Sequence, residues 1–212
     1  NPNYPTIKSI ASTGLKRITI EIQFPAIGEI KCNYNGTNGY VDLIKVKLKK
    51  TNTENTYQTK IIYILGQIKR IQYFDVTDNE LLPYTEYDVI VILANRNEES
   101  DSSGKAVVRM VEDVPSQPRN VTLDPAVFFI TVQWLIPEPA NGKITGYQIT
   151  NWIYNNPSTL KSLEITDDLL DVMKYQITDL EYDVRYSVKV KASTSVGYGI
   201  ASSEVSITTA ET

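Results

Sequence analysis

The side chains that do most protein chemistry are scarce in this sequence. Histidine is absent from the 212 residues and cysteine occurs once, at Cys32. Ser-His and Cys-His nucleophile pairs cannot be built, and neither can a zinc site assembled from cysteine and histidine. No glycine-rich phosphate loop is present. The chain therefore reads as non-catalytic, without metal or cofactor, and any active site of a parent enzyme lies elsewhere. Glu98-Glu99-Ser100-Asp101 and Asp167-Asp168 offer the oxygen ligands that calcium takes, but loops of an acidic chain carry such runs without binding anything.

The chemistry that remains is modification and binding. Asn35-Gly36-Thr37 and Asn120-Val121-Thr122 are acceptor sequences for N-linked glycans if the chain is secreted. Cys32 has two readings, a partly buried small apolar residue or a thiol for an intermolecular disulfide. Lys45, Lys47 and Lys49 alternate with Val46 and Leu48, so a strand there carries its cations on one face. That stripe suits a glycosaminoglycan or another acidic partner, or is simply the solvated face that guards a sheet against aggregation. Ile90 and Ile92 face outward if Tyr87, Val89, Val91 and Leu93 face in, and Trp152 and Tyr154 face outward if Tyr147, Ile149 and Ile153 face in. Lysine stems from a neighbouring strand cover such residues, or a protein partner does.

Bulk properties exclude several partners. The net charge of -4 and pI near 5.0 give no general attraction to nucleic acid or to an anionic membrane. With 42% apolar and 22% charged residues the chain has a globular composition. No run approaches the ~20 apolar residues of a membrane span. The sequence is expected to be soluble as it stands, with any leader or anchor outside it.

An internal repeat organises the chain. Ile18-Thr19-Ile20-Glu21-Ile22-Gln23-Phe24-Pro25 aligns without a gap on Ile130-Thr131-Val132-Gln133-Trp134-Leu135-Ile136-Pro137. Both alternate apolar and polar and stop at proline, as half-buried strands do. Farther on, Leu81 precedes Tyr87 and Leu180 precedes Tyr186 by the same interval, each tyrosine opening a strand of alternating β-branched residues. Short strands bounded by Gly, Pro, Asn and Asp imply an antiparallel sandwich. Asp167 to Met173 reads as a loop or single turn, and Pro25 to Tyr40 as an enlarged loop. Two modules are expected, at 1–112 and 113–212, divided at Val111-Glu112-Asp113-Val114-Pro115-Ser116-Gln117-Pro118, a connector without glycine and hence with limited hinge freedom.

These residues resemble the fibronectin type III family over essentially the whole chain. Trp134 matches the family's core tryptophan, Asn141 to Ile149 its turn into the third strand, and Leu180 with Tyr186 its tyrosine corner. In the first copy Leu81, Pro83, Thr85 and Tyr87 match the corner, whereas Ile22 stands where tryptophan is expected. The resemblance implies an all-β chain of two tandem seven-stranded immunoglobulin-like (fibronectin type III) sandwiches. It places Trp152 beside the outward residues Arg185, Ser187, Lys189 and Lys191 of a neighbouring strand. The connector and the Pro139-Ala140-Asn141-Gly142 turn look like those in receptor-type tyrosine phosphatases and neural adhesion receptors. The implied role is an extracellular spacer and protein-binding segment of a cell-surface receptor or adhesion protein, its partner a protein ligand or neighbouring receptor chain. An accessory module of a secreted multidomain enzyme and a structural module of an intracellular muscle-type array are the alternatives.

Overall fold

A computed structural model of the chain describes residues 4–25, 41–64, 69–95, 99–166 and 173–211. Two compact units divide between Val111 and Glu112. The first contains β1 (Thr6–Gly14), β2 (Arg17–Gln23), β3 (Leu43–Lys50), β4 (Gln58–Tyr63), β5 (Ile71–Thr77), β6 (Glu86–Ala94) and β7 (Ala106–Arg109). Its two sheets run β1-β2-β5 and β4-β3-β6-β7, every pairing antiparallel.

The second unit holds β8 (Arg119–Pro125), β9 (Ile130–Leu135), β10 (Gly146–Ile153), β11 (Asn156–Thr166), β12 (Lys174–Ile177), β13 (Arg185–Thr194), β14 (Gly197–Tyr198) and β15 (Val205–Thr208). One sheet is β12-β9-β8. The other is β11-β10-β13, and β13 pairs with both β14 and β15. These two pieces form a single interrupted edge, so the unit keeps the seven-strand pattern although its last strand is broken.

The elements form where they do because their side chains sort to two faces. In β2 the even-numbered residues Ile18, Ile20 and Ile22 are fully buried while their neighbours are not, and in β9 Ile130, Val132 and Trp134 occupy the matching inward places. Opposite them lie Tyr87, Val89 and Val91 of β6, or Tyr186, Val188 and Val190 of β13, in one apolar cluster per unit. Burying each such aliphatic side chain contributes about 1.5 to 3 kcal/mol. The ring of Trp134 packs on that of Tyr147 at 5.1 Å and 59°. Its buried indole N–H makes no hydrogen bond of good geometry, the Tyr147 hydroxyl being its polar neighbour, so tryptophan serves here chiefly by volume, and Ile22 fills the equivalent place with no polar atom to satisfy.

Both units are closed by the same pair of polar devices. The Leu82 N–H donates to the Tyr87 hydroxyl at 3.0 Å, and the Glu181 N–H to the Tyr186 hydroxyl at 3.1 Å. Leu81 and Leu180 are buried beneath these bonds. Past each corner a serine replaces a ladder bond. Val91 N–H donates to Ser103 Oγ at 2.8 Å while Ser103 N–H returns to Val91 O, and Val190 with Ser202 repeats the exchange.

The segment before β8 is bonded into the second unit. Asp113 N–H donates to Asn141 O at 2.9 Å, Asn141 Nδ2 to Val114 O at 2.9 Å and Thr194 Oγ1 to Asp113 O at 2.9 Å. The Glu112 carboxylate accepts from Lys143 N–H at 2.9 Å and from Ser195 Oγ, bonds that hold its pKa below the ordinary value. Pro115 is buried against Gly199, where any Cβ would stand 1.9 Å from the Pro115 carbonyl oxygen. Position 199 must therefore be glycine while that contact exists.

In the first unit Asp78, just past the end of β5, is a buried carboxylate held by several partners. Burial alone would raise its pKa, but the Lys60 ammonium at 2.8 Å, the Glu80 N–H at 3.1 Å and the charge of Lys16 together hold it below 3.8. Because the folded pKa is the lower one, the stabilisation is complete above the unfolded carboxyl's pKa and is lost as pH falls through the folded value. Asp78→Asn should thus destabilise the first unit at neutral pH, and the difference from wild type should shrink below about pH 4. Denaturant melts at the two pH values measure this; a gap that stays constant would show that the carboxylate charge contributes nothing.

In the second unit Trp134→Ala removes a buried ring and should cost about 3 to 5 kcal/mol in urea unfolding. A loss under about 1 kcal/mol would mean that the core closes around the gap.

A candidate protein-binding face

The outer face of the β10–β13 sheet is assembled by register. Thr150 pairs with Lys189, Trp152 with Ser187 and Gln148 with Lys191, so the odd residues of β13 and the even residues of β10 share one side. The bulge in β11 opposite Asn151 and Ile153 ends the ladder there, and Tyr154 continues past it, bonded by its N–H to Arg185 O at 2.8 Å. Two aromatic–cation stacks result. The Arg185 guanidinium lies over the Tyr154 ring at 4.0 Å and the Lys189 ammonium over the Trp152 ring at 5.8 Å, each worth about 0.5 to 1 kcal/mol at an exposed site.

Polar bonds fix the geometry. Arg185 also donates to Ser206 Oγ through Nη2 at 2.7 Å and Nε at 3.2 Å, which orients its plane on the tyrosine. Ser187 is 0% exposed and gives its hydroxyl to Glu204 Oε1 at 2.6 Å. A small residue in register with Trp152 leaves room beside the indole. Trp152 is half-buried as a result, while Tyr154 remains 38% exposed. The expectation that Trp152 stands beside β13's cations describes Lys189; Arg185 stacks on Tyr154 instead, because Tyr154 is the residue level with the start of β13.

The residues 112–212 carry 13 Asp and Glu against 7 Lys and Arg. Against that acidic background Arg185, Lys189 and Lys191 are gathered on one strand face, with Glu164 in register with Gln148 and Glu204 bonded to Ser187 as carboxylates beside them. The face can thus offer ordered aromatic rings flanked by cations.

Other expected positions fare differently. Ile92 does not face solvent: it is 6% exposed. It is paired in register with Lys45, whose ammonium is drawn across to Glu99, a residue bridged to Ala94 at the end of the same strand. Ile90 is half-buried opposite Lys47. Lysine stems, then, cover this face of the first unit. The lysine stripe is correspondingly engaged: Lys45 is salt-bridged, and Lys49 lies 5.1 Å over the Tyr57 ring, leaving Lys47 between them. Glu99 is held below its ordinary pKa, chiefly by its bond to Lys45. Asn120 is exposed on β8. Asn35, Cys32, Glu98, Asp167 and Asp168 lie outside the described residues.

Exposed apolar groups that the repeat does not mark include Ile61 and Tyr63 of β4 and Ile71 and Tyr73 of β5, with Tyr63 the most open of these four at 69%. Their strands lie outside the stretches that align between the two copies, and alternation alone leaves the outward side chain of an unaligned strand unassigned. A shallow concavity of about 410 Å³ lies among Lys50, Asn52, Tyr84, Glu86 and Arg109, where Arg109 is already spent on Glu86 at 2.7 Å and on the Tyr84 ring.

The two tryptophans give this face a direct readout. Trp152→Phe should abolish the acrylamide-quenchable, longer-wavelength part of the fluorescence and leave the protected emission of Trp134. Equal quenching before and after the substitution would show that the indole of Trp152 is not at the surface.

The fibronectin type III domain family matches residues 116–209. Over 219 residues the chain is 26% identical to Tyrosine-protein phosphatase Lar-like of Caenorhabditis elegans, covering 97% of this chain and 10% of that protein. It is 33% identical to Neogenin of Homo sapiens over 141 residues, 64% of this chain and 9% of Neogenin. With Neuronal cell adhesion molecule of Gallus gallus the identity is 30% over 129 residues, 60% of this chain and 10% of that protein. The chain spans about a tenth of the length of each of these relatives. The second unit is a fibronectin type III domain, and the first repeats its strand order, its buried positions and its corner, so the chain is two tandem sandwiches of one pattern.

Proposed function

We propose that the chain is a non-catalytic extracellular spacer and protein-binding segment of a cell-surface receptor or adhesion protein, and that it docks its partner on the β10–β13 face. The observation that carries the reading is the pair of stacks, Trp152 with Lys189 and Tyr154 with Arg185. Tryptophan, tyrosine and arginine dominate the energy of protein interfaces, and here they are ordered before any partner arrives, which lowers the entropy cost of docking. The three cations select a protein surface that presents carboxylates beside apolar side chains. The relatives support the setting: a tyrosine-protein phosphatase, neogenin and a neuronal cell adhesion molecule all contain a segment similar to this one.

A glycosaminoglycan on Lys45, Lys47 and Lys49 is the weaker alternative, since two of these ammoniums already have partners within the unit.

The test presents the chain as a dimeric fusion to an array of cell-surface ectodomains and measures affinity for those it captures. Trp152→Ser and Arg185→Ala should each weaken binding by at least about tenfold, equivalent to 1.4 kcal/mol, and raised salt should weaken it further. Leu135→Ser on the other sheet serves as the surface control. Unchanged affinity in both variants, with their folding intact by circular dichroism, would overturn this assignment of the face.

A further inference from the structure

The first residues of β8 hold a feature that the docking face does not use. Asn120 lies in a β-bulge: Arg119 pairs with Leu135 and Thr122 with Gln133, so β8 spends three steps where β9 spends two. The extra residue takes up its slack at Asn120, whose φ is 49°, a left-handed conformation that asparagine tolerates better than other side chains with a Cβ. The side chain is exposed, and Thr122 two residues on is exposed as well. Asn141 has a similar φ of 57° but spends its amide on Val114 O. The amide of Asn120 makes no hydrogen bond among the described residues. Asn120 is thus an asparagine in an acceptor sequence, set in a bulge with its amide uncommitted among the described residues.

We infer that Asn120 carries an N-linked glycan, and that the glycan caps the outer face of the β8–β9 sheet so that the β10–β13 face is the one left open to partners. The inference rests on the extracellular reading above, because the donor is met only on the secretory route. In the transfer the Asn120 amide nitrogen bonds to the anomeric carbon of the first N-acetylglucosamine of a lipid-pyrophosphate oligosaccharide. The bond from that carbon to the pyrophosphate oxygen breaks, the lipid pyrophosphate leaves with the electron pair, and the amide gives one proton to the transferase's base.

The surroundings fit a sugar. Across from Arg119 stands Leu135, 45% exposed, followed by exposed Ile136. These are the apolar residues of an otherwise polar face made by Thr122, Asp124, Gln133, Lys174 and Gln176. A pyranose rooted at Asn120 can lay its C–H side on Leu135 and Ile136 while its hydroxyls stay in water.

The chain is secreted from eukaryotic cells behind a cleavable leader, its glycans are released enzymatically in heavy-oxygen water, and peptides are read by mass spectrometry. Heavy aspartate at position 120 is expected, as is loss of one glycan's gel shift in Thr122→Ala. A label at Asn35 alone overturns the site while leaving the extracellular reading in place; a label at neither asparagine overturns both. Hydroxyl-radical footprinting before and after release tests the capping. Oxidation of Leu135 and Ile136 should rise on release while that of Trp152 and Tyr154 stays level, and an unchanged Leu135 signal, or a rise confined to Trp152 and Tyr154, overturns it.

Discussion

Each unit depends on one contact: the inward side chains of its second strand against those of the strand that carries the corner tyrosine. Ile18, Ile20 and Ile22 meet Tyr87, Val89 and Val91 in one unit, and Ile130, Val132 and Trp134 meet Tyr186, Val188 and Val190 in the other. Side chains alternate along a strand, so fixing these residues inward fixes which residues face water on both strands. The position of Trp152 and of β13's cations follows from that. A one-residue slip of β13 against β10 would send Lys189 into the core and Val190 to the surface, and the stacks exist because the core forbids it.

Hydrophobic alternation sets the faces, but polar bonds set the ends. The corner hydroxyls hold Leu82 and Glu181, and Ser103 and Ser202 supply a side-chain oxygen where the last strand leaves the ladder. That substitution explains why the edge beside β13 is interrupted between Tyr198 and Val205. A serine that accepts the Val190 N–H lets the chain depart without stranding a buried donor.

The architecture was legible because it is written twice. Alternation at Ile18 to Phe24 and at Ile130 to Ile136 identified the inward sets, and the Leu-to-Tyr intervals identified the corners. The outward placement of Trp152 followed from the same rule. What could not be read was what lies over an outward residue. Ile92 obeys the alternation and is still buried, because Lys45, drawn to Glu99, stands beside it. Likewise nothing in the spacing tells that Arg185 reaches Tyr154 and Lys189 reaches Trp152, since that depends on where β11's bulge ends the ladder. The strands β4, β5 and β11 have no counterpart in the aligned stretches, and alternation alone leaves their exposed apolar residues unassigned.

The bonds that tie Glu112, Asp113 and Val114 to the loops at Asn141, Lys143, Thr194 and Ser195 have a mechanical meaning. A chain drawn by its N-terminal side loads those bonds before it loads the ladder between β8 and β9. They join the entering segment to the turn before β10 and to the end of β13, so tension is passed to the β10–β13 sheet rather than spent on peeling β8 away. Release of the segment would pay out a short length of backbone, with Pro115 leaving Gly199, while the core around Trp134 stayed closed. Under load such a clasp would be the first point to yield, because a few hydrogen bonds part before a packed core opens.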